Sequence, residues 1–175
     1  MQEIRIKNRE IERKFIVFEE NLPDLSKSGY MDITQGYIYE MGSKYVFRLR
    51  QILYTSKNGF VLSDEYYQTI KGSRFKEREE YETYIWKNTF STFWPLCKNR
   101  SVHKFRYEIP IKNSNRSAFL DIYKNELKGL FTVEVEFGSI EECDSFIPPS
   151  WFGEEVTENI NYTNVNLALW GLPKS

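Results

Sequence analysis

Like charges recur two residues apart along this chain. Glu10 and Glu12 precede Lys14, Arg48 precedes Arg50, and Arg78 precedes Glu80 and Glu82. Lys104 is followed by Arg106, and Glu134 by Glu136, while Lys71 shares a parity with Thr69 and Tyr67, and Asp121 stands between Leu120 and Ile122. The carboxylates are hard oxygen ligands that suit Mg²⁺ or Mn²⁺ better than zinc. The guanidinium and ammonium groups suit phosphate oxygens, with Arg able to bind in a bidentate way. Brought together, these acids and bases could hold a divalent cation and a polyanion side by side.

Spacing by two is the period of a β-strand, which puts alternate residues on one face. Ile11, Arg13, Phe15 and Val17 take the face opposite Glu10, Glu12 and Lys14; Phe47 and Leu49 oppose Arg48 and Arg50; Val133, Val135 and Phe137 oppose Glu134 and Glu136. The pattern predicts strands near Glu10–Val17, Ile33–Tyr39, Lys44–Leu53, Tyr66–Lys71, Arg78–Trp86, Val102–Ile109, Ala118–Tyr123 and Phe131–Phe137. Turns are marked at Glu40–Ser43, Ser56–Gly59, Lys71–Ser73 and Lys112–Asn115. Helices are expected over Pro23–Ser28, Asn88–Lys98, Ile140–Phe146 and Tyr162–Trp170, the third opened by a Ser139/Glu142 capping box.

Eight strands with few helices predict a mainly β (α+β) fold: a closed eight-stranded antiparallel tunnel with helices packed on the outside. For any single strand, a charged face in water is the ordinary arrangement. The same-sign pairs argue otherwise for the set, because like charges facing each other across strands are destabilising unless something neutralises them. The alternative is an inside-out barrel, apolar outside, with charges in a hydrated or ligand-filled lumen, since buried unpaired charge is prohibitively costly.

The 175 residues suit one domain, 1–175, and 17 % aromatic content fits a β-rich protein. With 24 basic against 25 acidic residues, bulk charge points to neither nucleic acid nor a membrane surface. There is no apolar run of spanning length, and the N-terminus is too polar for a signal peptide. Cys97 and Cys143 form no CxxC and read as reduced, partly buried thiols, so a cytoplasmic location is expected. The single histidine, His103, falls on the face opposite Lys104 and Arg106 and is expected outside the lumen.

In chain order these segments resemble the CYTH, or triphosphate tunnel, family. Glu10-Ile11-Glu12-Arg13-Lys14 matches its ExExK signature. It is followed by Gln35-Gly36-Tyr37, Phe47-Arg48-Leu49-Arg50, Thr69-Ile70-Lys71-Gly72, Arg78-Glu79-Glu80-Tyr81-Glu82, Lys104-Phe105-Arg106-Tyr107, Leu120-Asp121-Ile122 and Val133-Glu134-Val135-Glu136. Glu155-Val156-Thr157 and Tyr162-Thr163-Asn164 continue the likeness towards the C-terminus. The resemblance implies a tunnel holding a triphosphate and Mg²⁺ or Mn²⁺. Glu10, Glu12, Glu134 and Glu136 are then ligands of the phosphate-bound metal. Asp121, Glu80 and Glu82 form the remaining acidic set, with Glu80 and Glu82 as catalytic candidates. Lys14, Arg48, Arg50, Lys71, Arg78, Lys104 and Arg106 form the triphosphate cradle. Lys14 with Tyr37 resembles the lysine–tyrosine pair of compact members that prefer inorganic triphosphate, and neighbouring cations would help that amine give up a proton to act on the attacking water.

The expected activity is therefore metal-dependent hydrolysis of a small triphosphate, inorganic triphosphate first, with no protein nucleophile. Nucleoside or thiamine triphosphate hydrolysis, conversion of ATP to cyclic AMP, and non-catalytic polyphosphate binding stay open, as does a homodimer.

Overall fold

The computed structural model describes residues 4–38, 43–72 and 77–173, with the backbone alone at 4–10, 71–72 and 77–79. Eight antiparallel strands carry the fold: β1 (Ile4–Ile16), β2 (Tyr30–Ile38), β3 (Tyr45–Thr55), β4 (Val61–Gly72), β5 (Glu77–Tyr84), β6 (Ser101–Pro110), β7 (Ser117–Tyr123) and β8 (Phe131–Phe137). Neighbours pair in the order β1-β5-β4-β3-β2-β6-β7-β8, and β8 pairs in turn with β1. Three short helices, α1 (Lys87–Phe93), α2 (Ile140–Ser145) and α3 (Asn164–Trp170), complete it. Among the described residues no helix is long and apolar enough to cross a membrane.

β1 serves two neighbours with different halves. Ile4–Ile11 register with β5, and Ile11–Ile16 with β8. A bulge between Lys7 and Glu10 lets three residues of β1 span two of β5, so Lys7 stands opposite Glu80 and Glu10 opposite Arg78. An inserted residue switches which parity faces inward. Strict alternation therefore missed the first part of β1 and started the strand at Glu10. β4 likewise begins earlier than expected, at Val61, because the β3–β4 hairpin turns tightly: Ser56 N donates to Phe60 O (2.9 Å) and Gly59 N to Ser56 O (2.9 Å).

Two helical expectations are corrected. Pro23–Ser28 is a turn, where Ser26 N donates to Asp24 Oδ1 (2.9 Å) and Ser28 N to Leu25 O (3.0 Å). Side-chain capture of the backbone competes with a helix there. The Asn88–Lys98 helix is cut after Phe93 and continues as a 3-10 turn, Trp94–Cys97, because Pro95 has no N–H to donate. At α2, Ser139 accepts from Glu142 N (3.2 Å), and the Glu142 carboxylate takes Gly138 N (2.9 Å).

The apolar outer faces are buried in separate clusters. α2 covers Phe15, Leu120, Val133 and Val135 with Cys143 at its centre, and α1 with the following turn covers Leu49 and Tyr66. Gly36 makes the second contact possible: a Cβ there would lie 2.5 Å from Cys97 Cβ and 2.9 Å from Trp94 Cζ3. The glycine between Gln35 and Tyr37 thus serves helix packing. A third cluster lies on the inner parity instead: Val102 and Tyr123, on the face of Lys104 and Asp121, join Leu127, Leu130 and Leu167 of α3. The helices do not cover the whole outer face, since Ile70 on β4 and its partner Tyr81 on β5 are 41 % and 45 % exposed.

Candidate active site

The charged rows come together on the inner face in two groups. On β3, β4 and β5, Arg48 Nη2 donates to Thr69 Oγ1 (3.0 Å), Glu82 Oε2 (3.0 Å) and Glu80 Oε1 (3.3 Å). Arg50 Nη2 shares the same Glu82 oxygen (2.6 Å), which also receives the Thr69 hydroxyl (2.9 Å). On β1, β6, β7 and β8, Lys104 Nζ donates to Asp121 Oδ2 (2.5 Å), and Lys14 Nζ lies 3.1 Å from Glu134 Oε1. Arg106 joins both acids of this group. Lys14, Arg48, Glu80, Lys104, Asp121 and Glu134 are buried, which is tolerable because each charge meets an opposite one. Glu12 and Glu136 are paired opposite each other, half-buried and exposed respectively, at the wetter end of the row.

The electrostatics separate the two lysines. Burial works against the charge on Lys14, but Tyr123, Glu134, Asp121 and Glu12 together hold its ammonium above the ordinary lysine value. The direction is opposite to the expectation that neighbouring cations would loosen the Lys14 proton. Lys104 is the amine that is pushed down, to about 7, by burial and then by Arg106. Burial and Arg48 also lower Arg50, with Arg106 close enough to add to the effect, so the cations of the two groups feel each other. Burial opposes the charge on Glu134, but Lys14, then Arg106 and Lys104, hold its carboxyl well below the usual carboxylate range.

Tyr37 and Gln35 are buried on β2, and Gln35 Nε2 donates to Tyr37 Oη (2.7 Å). The side chains of Glu10, Lys71 and Arg78 lie outside the described residues; their backbones place Glu10 opposite Arg78 and Lys71 opposite Glu80. His103 lies on the other face of β6, 2.7 Å from Asp32. Sequence reasoning passed over three positions that share the inner row. The bulge puts Arg5 and Lys7 opposite Glu82 and Glu80, and Glu108 continues the row of Lys104 and Arg106. An odd-spaced Arg5-Ile6-Lys7 just before the even-spaced Glu10-Ile11-Glu12 was the available signal.

No family model matches the chain. An inorganic triphosphatase of Nitrosomonas europaea is 38 % identical over 160 residues, covering 91 % of this chain and 97 % of that protein. An inorganic triphosphatase of Acetivibrio thermocellus is 31 % identical over 161 residues, covering 91 % and 92 %. The crystal structure of an inorganic triphosphatase superposes with a TM-score of 0.65 at 36 % identity, over 94 % of this chain and 97 % of that one. The chain belongs to the CYTH, or triphosphate tunnel, superfamily. An adenylyl cyclase-like protein from Hippeastrum, with a TM-score of 0.53 at 14 % identity over 77 % of this chain and 82 % of that one, shares the fold.

Divalent-metal dependence is general in the triphosphate tunnel superfamily, and the donor set here is chemically suited to it. Every acid of the row offers carboxylate oxygen, the ligand of a hard cation. Among the described residues no group of three or more metal-binding side chains is ready-formed. Asp121 and Glu134 are occupied by Lys104, Arg106 and Lys14. Arg50 Nε is buried with no hydrogen-bond partner among the described residues.

Proposed function

We propose that this protein hydrolyses inorganic triphosphate, with Mg²⁺ or Mn²⁺, inside a closed eight-stranded tunnel in the cytoplasm. The observation that carries the reading is the inner row of buried Lys14, Arg48 and Lys104 and half-buried Arg50 and Arg106 in a chain 38 % identical to an inorganic triphosphatase over nearly its whole length. Each of these cations rests on a carboxylate, so a polyphosphate that takes over the cations frees those carboxylates for a divalent cation or a proton.

In this reading the phosphates lie between the two groups, with Arg48 and Arg50 on one wall and Lys14, Lys104 and Arg106 on the other. Glu10, Glu12, Glu134, Glu136 and Asp121 would hold the divalent cation, which supplies charge neutralisation and lowers the pKa of bound water. Lys71 and Arg78 extend the cradle. Water attacks the terminal phosphorus as the bridging P–O bond breaks, and charge spreads over the three equatorial oxygens. Arg48 and Arg50 donate to those oxygens from fixed positions, which favours the transition state over the ground state. Glu80 and Glu82 hold the arginines in place and, once phosphate takes those donors, can accept the proton of the attacking water. Lys14 keeps its charge and binds. Lys104, whose amine is pushed down to about 7, loses part of its charge near neutral pH.

The test is a substrate panel of inorganic triphosphate, ATP and thiamine triphosphate, each with Mg²⁺ or Mn²⁺ and each with EDTA, scored for orthophosphate and, with ATP, for cyclic AMP. Orthophosphate release fastest from inorganic triphosphate and abolished by EDTA is expected. Cyclic AMP as the main product, or tight binding without turnover, overturns the proposal.

A further inference from the structure

The β5 register of β1 ends at Ile11, yet Lys14 lies beyond it. The segment 153–157 meets that half of β1 on the edge turned away from β8. Gly153 N donates to Ile16 O (2.8 Å), Ile16 N to Glu154 O (2.9 Å), and Val156 N to Lys14 O (2.8 Å). A Cβ on Gly153 would sit 2.9 Å from Ile16 O, so glycine is needed for this approach. Side chains complete the contact. Thr157 Oγ1 accepts the Lys14 N–H (3.0 Å) and donates to Glu155 Oε1 (2.7 Å). The Glu155 carboxylate takes Arg13 Nε (3.0 Å) and Nη2 (2.6 Å), and Arg13 Nη1 donates to the carbonyls of Cys143 (3.2 Å) and Phe146 (2.9 Å).

Arg13 stands between Glu12 and Lys14 in the chain but on the outer face. On the inner face, Glu12 is registered opposite Glu136. Like charges facing each other across a strand pair push the strands apart. That force acts on the stretch of β1 beyond its β5 register, and the bracket from Arg13 to Thr157 grips the backbone there.

We propose that Arg13, Glu155 and Thr157 are positioning residues: they hold the β1 backbone so that Glu12 and Lys14 keep their places for metal and triphosphate. The inference rests on the triphosphatase reading and adds residues outside the tunnel to it. A bracket of this kind acts on affinity through geometry, as the partners of ligating groups do.

Thr157→Val keeps the side-chain shape and removes the hydroxyl that ties Lys14 to Glu155. It is expected to raise the KM for inorganic triphosphate and the Mn²⁺ dissociation constant measured calorimetrically without substrate, each about tenfold or more, with kcat within about threefold. Thr157→Ser is expected to restore both values. Glu155→Gln, which weakens the grip on Arg13, is expected to move the same two readouts and serves if Thr157→Val does not fold. Wild-type KM and Mn²⁺ affinity in these variants, or a loss that Thr157→Ser fails to recover, overturns the bracket. A wild-type protein that neither turns over triphosphate nor binds Mn²⁺ overturns the functional reading itself, and the wild-type measurement alone reveals it.

Discussion

Arg106 grips Asp121 with two nitrogens and spends one of them again on Glu134. Its Nε lies 2.7 Å from Asp121 Oδ1 and its Nη2 2.7 Å from Asp121 Oδ2, and the same Nη2 donates to Glu134 Oε2. A lysine cannot reproduce this fork, whatever its charge. Arg106→Lys is expected to lower kcat/KM for inorganic triphosphate by about tenfold or more, roughly 1.4 kcal/mol of transition-state stabilisation. Steady-state kinetics check it, and a value close to wild type would show that the fork is dispensable.

Glu136 is exposed, so its substitution leaves the packing alone. In the proposed reading Glu136→Gln removes one anionic ligand from the pair with Glu12. The Mg²⁺ or Mn²⁺ concentration giving half-maximal activity is expected to rise about 10- to 100-fold. An unchanged titration removes Glu136 from the metal set.

The Lys14–Glu134 pair has a stability window with two different edges. Glu134 is held below the usual carboxylate range, so its contribution is present above that range and lost as pH falls through the lowered folded value. Lys14 is held above its ordinary value, so its contribution is present below the ordinary lysine range and lost as pH rises through the raised folded value. Glu134→Gln is expected to lower the thermal midpoint at neutral pH and to flatten the decline below about pH 4.5. Thermal unfolding across the acid range decides the point: a limb as steep in the variant as in wild type contradicts it.

Tyr37→Phe keeps a buried ring and removes the hydroxyl that accepts from Gln35 Nε2 (2.7 Å). If this hydroxyl helps to orient the cradle, hydrolysis of inorganic triphosphate should fall by more than about tenfold and that of ATP by less. Equal small losses on both substrates would make Tyr37 a packing residue.

The inner row was legible because a tunnel wall must be a strand, and a strand writes its faces at period two. Arg48 with Arg50 and Lys104 with Arg106 could be read that way without any knowledge of their partners. Arg5 and Lys7 could not, because the bulge after Lys7 reverses the parity and periodicity cannot see a register break. The Arg13–Glu155–Thr157 contact was hidden for another reason. It joins residues 142 positions apart through a segment with only an isolated β-bridge at Glu155, and such a contact leaves no repeat to find. Pro23–Ser28 was misread because its composition fits both a helix and a turn, and one Asp24 side chain settled the matter.

Counted over the inner row as the register sets it out, Arg5, Lys7, Lys14, Arg48, Arg50, Lys71, Arg78, Lys104 and Arg106 stand against Glu10, Glu12, Glu80, Glu82, Glu108, Asp121, Glu134 and Glu136, so nine positive charges face eight negative ones. A wall balanced to this degree throws little field into the solvent, and fields of that kind are what accelerate the encounter of charged partners. A distant polyanion is therefore neither drawn in nor turned away. Its capture rate follows from diffusion and the size of the opening, with weak dependence on ionic strength. In the proposed reading the attraction is met only inside, one pair at a time, as each phosphate displaces a carboxylate from its cation.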